Sequence, residues 1–307
     1  MDKTFKTDKT FKLGSVSEFC DFFGVETLHP LISVANFEDY GTYPEGTMNA
    51  GVYCIMYKEL HCGEMKYGRS KYDYQAGTLL FISPGQLVGI KGRQDTDAPK
   101  YKGHVLIFHP DFLYGTPLAR AMKDYSFFSY DANEALHMSE KEKKIILGCI
   151  EEIKTELANN IDRHTKQIVT SYLGTMLNHC VRFYERQFIT REVSNRGIMG
   201  KLETLLNDYF DNNRQEEQGL PSVQYCAREL CLSPNYFGDL IKKETGNTAT
   251  EYIQRFVIER AKILLAEGEL NISETAYELG FKYPHHLTRV FKKVTGRTPY
   301  EYLSSCN

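Results

Sequence analysis

Short apolar runs separated by turn residues fill the first third of the chain. Segments rich in Val, Ile, Tyr and Phe are interrupted by glycine, proline and charged residues, a pattern that predicts β-strands. The predicted strands are Val52–Lys58, Glu64–Gly68, Thr78–Ile82, Leu87–Ile90 and His104–Phe108. Because they are short and closely spaced, they indicate an antiparallel barrel or sandwich.

The apolar period becomes helical after Phe128. Ser139–Asn160 and the stretch from Thr165 to Glu185 each carry an apolar stripe, and a polar break separates them, which predicts an antiparallel helix pair. The stripes are Ile146, Cys149, Ile150, Ile153 and Leu157, then Ile168, Tyr172, Met176, Cys180 and Phe183. The pair either completes a core or leaves a face for a second subunit, and the pattern favours neither.

A polar segment, Gln187–Arg196, lacks helical periodicity and is the predicted domain boundary. The predicted N-terminal domain therefore spans residues 1–190, with the helix pair at about 139–187, and the C-terminal domain spans 196–307. In the latter, a helix is predicted over Ile198–Phe210, followed by a charged loop over Asp211–Gly219.

An internal repeat of about fifty residues dominates the C-terminal domain. Val223–Ile253 resembles Ser273–Leu303, with Ala227 and Leu230 matching Ala276 and Leu279. The match continues after one extra residue in the second turn. There, Lys242-Lys243, Thr245 and Gly246 of the first segment correspond to Lys292-Lys293, Thr295 and Gly296 of the second. A spacing kept through both copies predicts two copies of one structural unit.

Each copy has the signals of two helices joined by a tight turn. Gly280 in one copy and Cys231-Leu232 in the other supply the turn, and Ser233-Pro234 predicts a helix start. Gly246 and Gly296 stand where a helix C-cap needs positive φ. The pairs Thr248 with Glu251 and Thr298 with Glu301 predict capping boxes for the following helices. This is a helix-turn-helix pattern twice, joined by a long helix from Thr250 to about Leu265.

Composition places the chain among ordinary globular proteins. It has 307 residues, 42% hydrophobic and 25% charged, with a net charge of −3. The eight cysteines show no CxxC spacing and are predicted to be small buried residues in a reducing compartment, without disulfides or zinc. The first residues are polar, unlike a signal peptide, and no apolar run is long enough for a membrane span, so a cytoplasmic location is expected.

The net negative charge hides a local basic stripe. From Leu279 to Tyr300 the chain has basic residues and no Asp or Glu; the basic residues are Lys282, Arg289, Lys292, Lys293 and Arg297. A local stripe of this kind is what contact with DNA phosphates requires.

The second helix of each unit is predicted to enter the major groove of double-stranded DNA. In the second unit, His285, Thr288, Arg289 and Lys292 fall on one helical face, where Arg289 suits guanine. The first unit offers Asn235 for adenine and Asp239 for cytosine, but Asp239 also repels phosphate, so fewer contacts are expected there. The full predicted set is Asn235, Tyr236, Asp239, Lys242, Lys282, Tyr283, His285, Thr288, Arg289, Lys292 and Lys293.

The C-terminal sequence resembles the DNA-binding domain of the AraC/XylS family of bacterial transcription regulators. The motifs GFKYPHHLTRVFKKVTGRTPYEYL and AKILL carry the resemblance, which covers about a third of the chain. Thr275, Leu287 and Val257 depart from residues common in the family, within or beside the predicted core.

The N-terminal part resembles, more loosely, the cupin-like barrel and dimerising helices of the same family. GRSKYDYQAGTLLFISPGQL is similar to a family hairpin, but Gln86, Leu87 and Val88 follow where many members have a histidine. No metal or cofactor is therefore expected. The resemblance implies a homodimer, a small-molecule effector in the barrel, and an effect on promoter occupancy or on contact with RNA polymerase.

The predicted fold is thus α+β: a cupin-like β-barrel with an antiparallel helix pair, then an all-α domain with two helix-turn-helix motifs. An alternative is a ligand-independent regulator whose barrel only dimerises; the aromatic residues Tyr53, Tyr57, Tyr72, Tyr74, Phe81 and Phe108 either line a pocket or fill a core. A cupin-type enzyme is disfavoured, since His104 and His109 point to opposite faces of a strand and no catalytic motif is present. The chain is not expected to be an enzyme.

Overall fold

The computed structural model describes residues 9–59, 77–90, 93, 102–131, 134–190 and 192–306. They form two compact units, Met1–Gln187 and Phe188–Asn307, named here the N-terminal and C-terminal domains. This division lies close to the boundary predicted from the polar segment. The predicted strand at 64–68, together with Tyr72 and Tyr74, falls outside the described residues.

Two β-sheets make up the strand-rich part of the N-terminal domain. The strands are β1 Thr10–Leu13, β2 Ile32–Asn36, β3 Gly46–Ala50, β4 Tyr53–Lys58, β5 Gly77–Ile82, β6 Leu87–Ile90, β7 Gly103–Phe108 and β8 Leu136–Met138. One sheet has the order β1-β3-β6 and the other the order β2-β7-β4-β5-β8. Every pair of neighbours is antiparallel except β1 with β3.

The sheets do not close into a barrel within the described residues, because no strand of one pairs with a strand of the other. The cupin-like barrel is therefore not confirmed, whereas the mixed α+β class is. Strands β1, β2, β3 and β8, and helix α1 (Val16–Phe23), were not predicted. The strand segments are short and mix polar with apolar residues, so tertiary packing defines them, whereas α1 has local signals in its N-cap Ser15 and its left-handed C-cap Gly24.

A shared apolar core holds the two sheets together. Met48 and Ala50 of β3 pack with Cys54 of β4 and with Val105 and Ile107 of β7. In β4 and β5 the inward face follows from the register, since Cys54 lies opposite Ile82 and Met56 opposite Leu80. Directly opposed residues of an antiparallel pair share a face, so this alternation selects which side chains enter the space between the sheets.

The predicted helix pair is present as α4, Glu140–Ala158, and α5, Thr165–Thr190. A capping box between Ser139 and Glu142 begins α4. Arg186, near the end of α5, donates to both carboxylate oxygens of Glu142 at 3.1 and 2.9 Å, which brings the start of α4 beside the end of α5. The two helices therefore run antiparallel.

The buried stripes of the pair agree only partly with the prediction. The predicted stripe of α4 is buried throughout. In the first half of α5, however, Val169 and Leu173 are buried, whereas Ile168 is exposed and Tyr172 is half-buried. The stripe there is displaced by one residue, which a helical period of 3.6 residues cannot distinguish when neighbouring positions are both apolar.

The C-terminal domain consists of helices α6 to α13. Their bounds are α6 Glu192–Asp211, α7 Arg214–Gln218, α8 Val223–Glu229, α9 Pro234–Thr245, α10 Ala249–Glu267, α11 Ile272–Glu278, α12 Pro284–Thr295 and α13 Pro299–Cys306. Two short helices, α2 Pro110–Leu113 and α3 Pro117–Ala121, belong to the N-terminal domain. The helices α5 and α6 occupy most of the polar segment predicted to be non-helical, and α7 lies inside the predicted charged loop.

The long helix α10 is central to the C-terminal core. Ile253, Val257 and Ala261 of α10 are buried in one cluster with Phe237 of α9 and Phe291 of α12. The capping box between Thr248 and Glu251 fixes the start of α10, as predicted. The apolar face of one helix thus packs against both repeated units.

Most described cysteines are buried: Cys20, Cys54, Cys149, Cys180 and Cys226. Burial raises the pKa of Cys226 to about 12, so its thiol stays protonated at neutral pH. Cys231 departs from the prediction, because it is exposed.

Two glycines with similar φ but different surroundings give a stability test. Gly280 has φ 83° and Gly296 has φ 80°. A Cβ added at Gly280 would lie 2.9 Å from Gln215 Cβ and 3.0 Å from its carbonyl oxygen, whereas at Gly296 nothing lies within 4 Å. We expect Gly296→Ala to lower the free energy of unfolding by about 1–2 kcal/mol through φ strain alone. We expect Gly280→Ala to lower it by roughly 2–4 kcal/mol through added overpacking.

Urea denaturation of the full chain, followed by circular dichroism, measures both losses. Equal losses for the two variants would contradict the close packing of Gly280 against α7.

Candidate nucleic-acid interface

The two helix pairs α8–α9 and α11–α12 have the same turn. The amide of Leu232 donates to the Ala227 carbonyl at 2.9 Å, and the amide of Phe281 donates to the Ala276 carbonyl at the same distance. Cys231 and Gly280 occupy the equivalent left-handed position, with φ 57° and 83°. The repeat seen in the sequence is therefore a repeat in backbone conformation, including the non-glycine residue.

The second helices of the pairs also begin and end alike. Both α9 and α12 start with proline and end at a left-handed glycine, Gly246 or Gly296. At α9 the Ser233 hydroxyl accepts a hydrogen bond from the Tyr236 amide at 3.2 Å. At α12 the N-cap is Tyr283, whose side chain makes no capping hydrogen bond. The Tyr283 ring instead projects from the start of α12.

The outward face of α12 carries most of the predicted contacts. His285, Arg289 and Lys292 are exposed, as the spacing predicted. Thr288 is half-buried, and its hydroxyl lies 3.5 Å from the Pro284 carbonyl oxygen, so it is directed back along the helix. The helix has basic residues at three positions and no acidic residue.

A cluster of rings marks the N-terminal end of α12. The Tyr283 and His285 rings are nearly parallel with centroids 5.5 Å apart, and the His286 ring lies 4.4 Å from that of His285. Lys282 places its ammonium 5.8 Å from the Tyr283 ring centroid. Hydrogen-bond donors, planar rings and a cation are thus concentrated where a recognition helix meets base edges and phosphates.

His286 is neutral at physiological pH. Burial lowers its pKa below the usual 6.5, and the neighbouring His285 and Arg289 lower it further. The α12 face therefore owes its positive charge to Arg and Lys rather than to this histidine.

Lys293 differs from its neighbour Lys292. Its ammonium lies 3.8 Å from a carboxylate oxygen of Glu251, the residue that also caps α10. The amide and hydroxyl of Thr248 hold the pKa of that carboxyl below its usual range. The ion pair tethers α12 to the start of α10 while most of the Lys293 side chain stays in solvent.

The outward face of α9 is less basic. Asn235 and Lys242 are exposed, and Asp239 is half-buried. The helix carries two lysines and two acids, a net charge of zero. Counted from the first proline, Asp239 occupies the position of Arg289, so the two recognition helices present opposite charge at equivalent positions.

Tyr236 does not lie on this surface. It is only 4% exposed, and its ring packs 5.1 Å from that of Phe188. Its prediction as a DNA contact is therefore corrected: the residue follows the N-cap, and its side chain packs inward.

The N-terminal domain holds a cavity of about 400 Å³ between the inward faces of its two sheets. Aromatic side chains line it, among them Phe23, Phe37, Tyr40, Tyr43 and Phe81. Of the aromatic residues that the sequence offered as pocket lining or core, Phe81 lines this cavity. Tyr57 and Phe108 are buried but do not line it. Half of the described aromatic lining comes from the segment before Met48, where no elements were predicted.

The two histidines considered as metal ligands each form a hydrogen bond with a different residue. His104 Nδ1 lies 2.9 Å from the Asn36 amide oxygen, whereas His109 accepts the Asp111 amide at the start of α2. Within the described parts of the chain, no group of three or more His, Cys, Asp or Glu residues is placed to hold a metal ion. Nor does any described helix have the length and apolar character needed to cross a membrane.

Comparison with known proteins agrees with this geometry. The family model of a helix-turn-helix domain, HTH_18, matches residues 226–305. YesN of Bacillus subtilis, an uncharacterized transcriptional regulatory protein, is 38% identical over 140 residues, which are 45% of this chain and 36% of YesN. The Escherichia coli arabinose operon regulatory protein is 31% identical over 80 residues, 26% of this chain and 27% of that protein.

Residues 226–305 are thus a helix-turn-helix domain of the AraC/XylS type. The matched segments cover less than half the length of these curated relatives. A solved structure, the C-terminal domain of the response regulator AraT from Geobacillus stearothermophilus, is 27% identical and covers 35% of this chain and 84% of that one, but its TM-score of 0.31 is too low to support a conclusion.

The His286 environment gives a direct test of the α12 surface. In a histidine NMR titration, we expect His286 to titrate below 6.5, because its burial and the nearby positive charge favour the neutral imidazole. Arg289→Gln removes one of those charges and should raise the pKa. Arg297→Gln removes a charge from the same basic stripe and serves as the control, with no change expected. A wild-type His286 that titrates above 6.5 would contradict the arrangement of this face.

Proposed function

We propose that the protein is a sequence-specific DNA-binding transcription regulator in which α12 makes the principal base contacts. The supporting observation is the acid-free outward face of α12 within a doubled helix-turn-helix domain of the AraC/XylS family. Arg289 suits a bidentate contact to guanine, with His285 and Thr288 beside it. Lys282, Tyr283, Lys292 and Lys293 suit the phosphates on either side.

The first unit plays the smaller part in this proposal. Asn235 and Lys242 are available for contacts, while Asp239 disfavours phosphate and so limits which sequences fit. The recognition helices α9 and α12 enter successive major-groove segments on one side of the duplex, and α10 fixes their separation. Such a regulator acts in the bacterial cytoplasm.

Substitutions at equivalent positions of α9 and α12 test this division. Fluorescence anisotropy with the DNA upstream of the protein's own gene, over a salt series, measures affinity. We expect Arg289→Ala to lose about 1–3 kcal/mol of specific binding and to relax the preference at one base pair. Lys292→Ala should weaken binding to all sequences and reduce the salt slope by about 1. Asp239→Ala, the matched control in α9, should not weaken binding, because it removes a charge that repels phosphate.

Selection of bound fragments from the whole genome covers the case in which the operator lies elsewhere. A selection that finds no preferred sequence, with and without cell extract as a source of effector, would contradict the regulator proposal. Losses of equal size for Arg289→Ala and Asp239→Ala would contradict the dominance of α12.

We further propose that a small-molecule effector binds in the N-terminal cavity and changes promoter occupancy or contact with RNA polymerase. The support is a cavity of about 400 Å³ lined largely by apolar and aromatic side chains, within the usual range for ligand sites. A domain built only for dimerisation has no need of such a space, since interiors are ordinarily close-packed.

The same domain is proposed to mediate a homodimer through its helix pair. Two apolar residues near the start of α5 are open to solvent, Ile161 at 52% and Ile168 at 37% exposed. A second copy of the chain would bury them.

Analytical ultracentrifugation tests this dimer. We expect the wild type to sediment as a dimer and the double variant Ile161→Asp, Ile168→Asp to sediment as a monomer, because buried carboxylates are costly. Ile263, on α10, is 59% exposed and gives the control Ile263→Asp, which should remain dimeric. A wild-type monomer, or a double variant that still dimerises, would contradict this interface.

A further inference from the structure

The C-terminal domain holds a cavity of its own, which lies between its two helix-turn-helix units and has a volume of about 280 Å³. Val223, the first residue of α8, and Val257 of α10 line it. Phe281, in the turn of the second unit, and Val290 of α12 line it as well. An occupant of this cavity would therefore contact both units and the helix that joins them.

Polar side chains are few in this lining. Within the described residues they are Ser222, Thr250 and Gln254. The Ser222 hydroxyl is already used to cap α8, since it accepts a hydrogen bond from the Tyr225 amide at 3.0 Å. Ser222 and Thr250 are exposed, whereas Gln254 is half-buried. Gln254 is therefore the polar residue of the lining that is least accessible to solvent.

The side-chain oxygen of Gln254 is buried and has no hydrogen-bond partner among the described residues. Leaving a buried acceptor unsatisfied is costly, and native proteins seldom do so. The terminal torsion of a glutamine side chain is broad, so rotation of the amide can present this oxygen to an occupant of the cavity. A ligand that donates one hydrogen bond to it would remove the cost when it binds.

The rest of the lining limits the charge and the size of such a ligand. All other described lining residues are apolar, and none in the lining is charged. A charged ligand would lose its hydration there without gaining a counterion, which is unfavourable. An apolar cavity of about 150 Å³ is large enough to bind benzene, so a cavity of about 280 Å³ has room for a molecule of one or two rings.

We propose that this cavity is a ligand site for a small neutral molecule of one or two rings that is apolar apart from one N–H or O–H group. Indoles and simple phenols belong to this class. The donor group binds the Gln254 oxygen, and the ring system packs among the apolar side chains of α8, α10 and α12. The site lies wholly within the C-terminal domain, so it does not rest on the effector proposed for the N-terminal cavity.

Indole and benzofuran are a matched pair of probes for the full-length protein. The chain contains no tryptophan, so indole fluorescence excited outside the tyrosine absorption band reports the ligand alone. We expect the indole emission to shift to shorter wavelength and to saturate, because the ring leaves water for an apolar cavity. Benzofuran has nearly the same shape but no donor, and it should displace indole with roughly three- to tenfold lower affinity, the effect of one neutral hydrogen bond.

Two variants of lining residues separate recognition from folding. Gln254→Leu removes the acceptor with little change in volume, so it should bind indole and benzofuran equally well. Because it also removes an unsatisfied buried group, it should raise the unfolding temperature of the free protein, which shows that the lost preference does not come from misfolding. Val223→Phe fills the cavity and should abolish binding of both probes.

Met56→Phe is the matched control, since Met56 lines the N-terminal cavity and not this one. It should leave indole binding unchanged. The inference is overturned if indole does not bind saturably, if benzofuran binds as tightly as indole, or if Gln254→Leu keeps the preference. It is also overturned if Met56→Phe weakens indole binding while Val223→Phe does not, because the indole would then occupy the N-terminal cavity.

Discussion

Burial of the apolar face of one helix, α10, is the constraint on which the DNA-binding domain depends. Val257 and Ala261 of α10 pack with Phe237 of α9 and Phe291 of α12 in one cluster. Each recognition helix therefore buries its inward face against the same partner and leaves its polar face in solvent. Without α10, neither short helix pair has enough apolar surface to fold by itself, since helices of about ten residues are marginal in water.

The same scaffold permits the two units to differ in chemistry. Their turns share a hydrogen bond of 2.9 Å and a left-handed residue, and their second helices share proline starts and glycine ends. The outward residues differ in charge, with Asp239 in α9 where α12 has Arg289. Because outward residues do not contribute to the core, their charge is free to vary, and this is why the two copies present different surfaces from one fold.

In the N-terminal domain, the register between neighbouring strands decides which side chains share a face, much as packing against α10 decides which faces are buried in the C-terminal domain. Lys58 and Thr78 are twenty positions apart in the chain, yet the antiparallel pairing of β4 with β5 places them opposite each other. Tyr40 comes from a separate segment and, like Lys58, contacts Phe37. The lining of the aromatic cavity thus comes from separate pieces of chain, none of which has a recognisable motif.

Several features followed from the sequence alone because their causes are local. Proline and glycine positions, capping boxes and a fifty-residue repeat fix the helices of the C-terminal domain within a few neighbouring residues, and the outward face of α12 follows from spacing. The strands β4 to β7 that lie within the described residues also agree with the predicted runs, because their apolar residues are contiguous.

Tertiary structure decided what depends on contacts between distant segments. The burial of Tyr236 depends on packing that spacing after the N-cap does not reveal, and the buried stripe of α5 depends on which of two adjacent apolar residues is turned into the core. The strands before Met48, the unclosed sheets and the cavity between them likewise result from packing between segments. Sequence periodicity indicates which side chains can be buried, whereas the residues that pack against them are determined only by the tertiary structure.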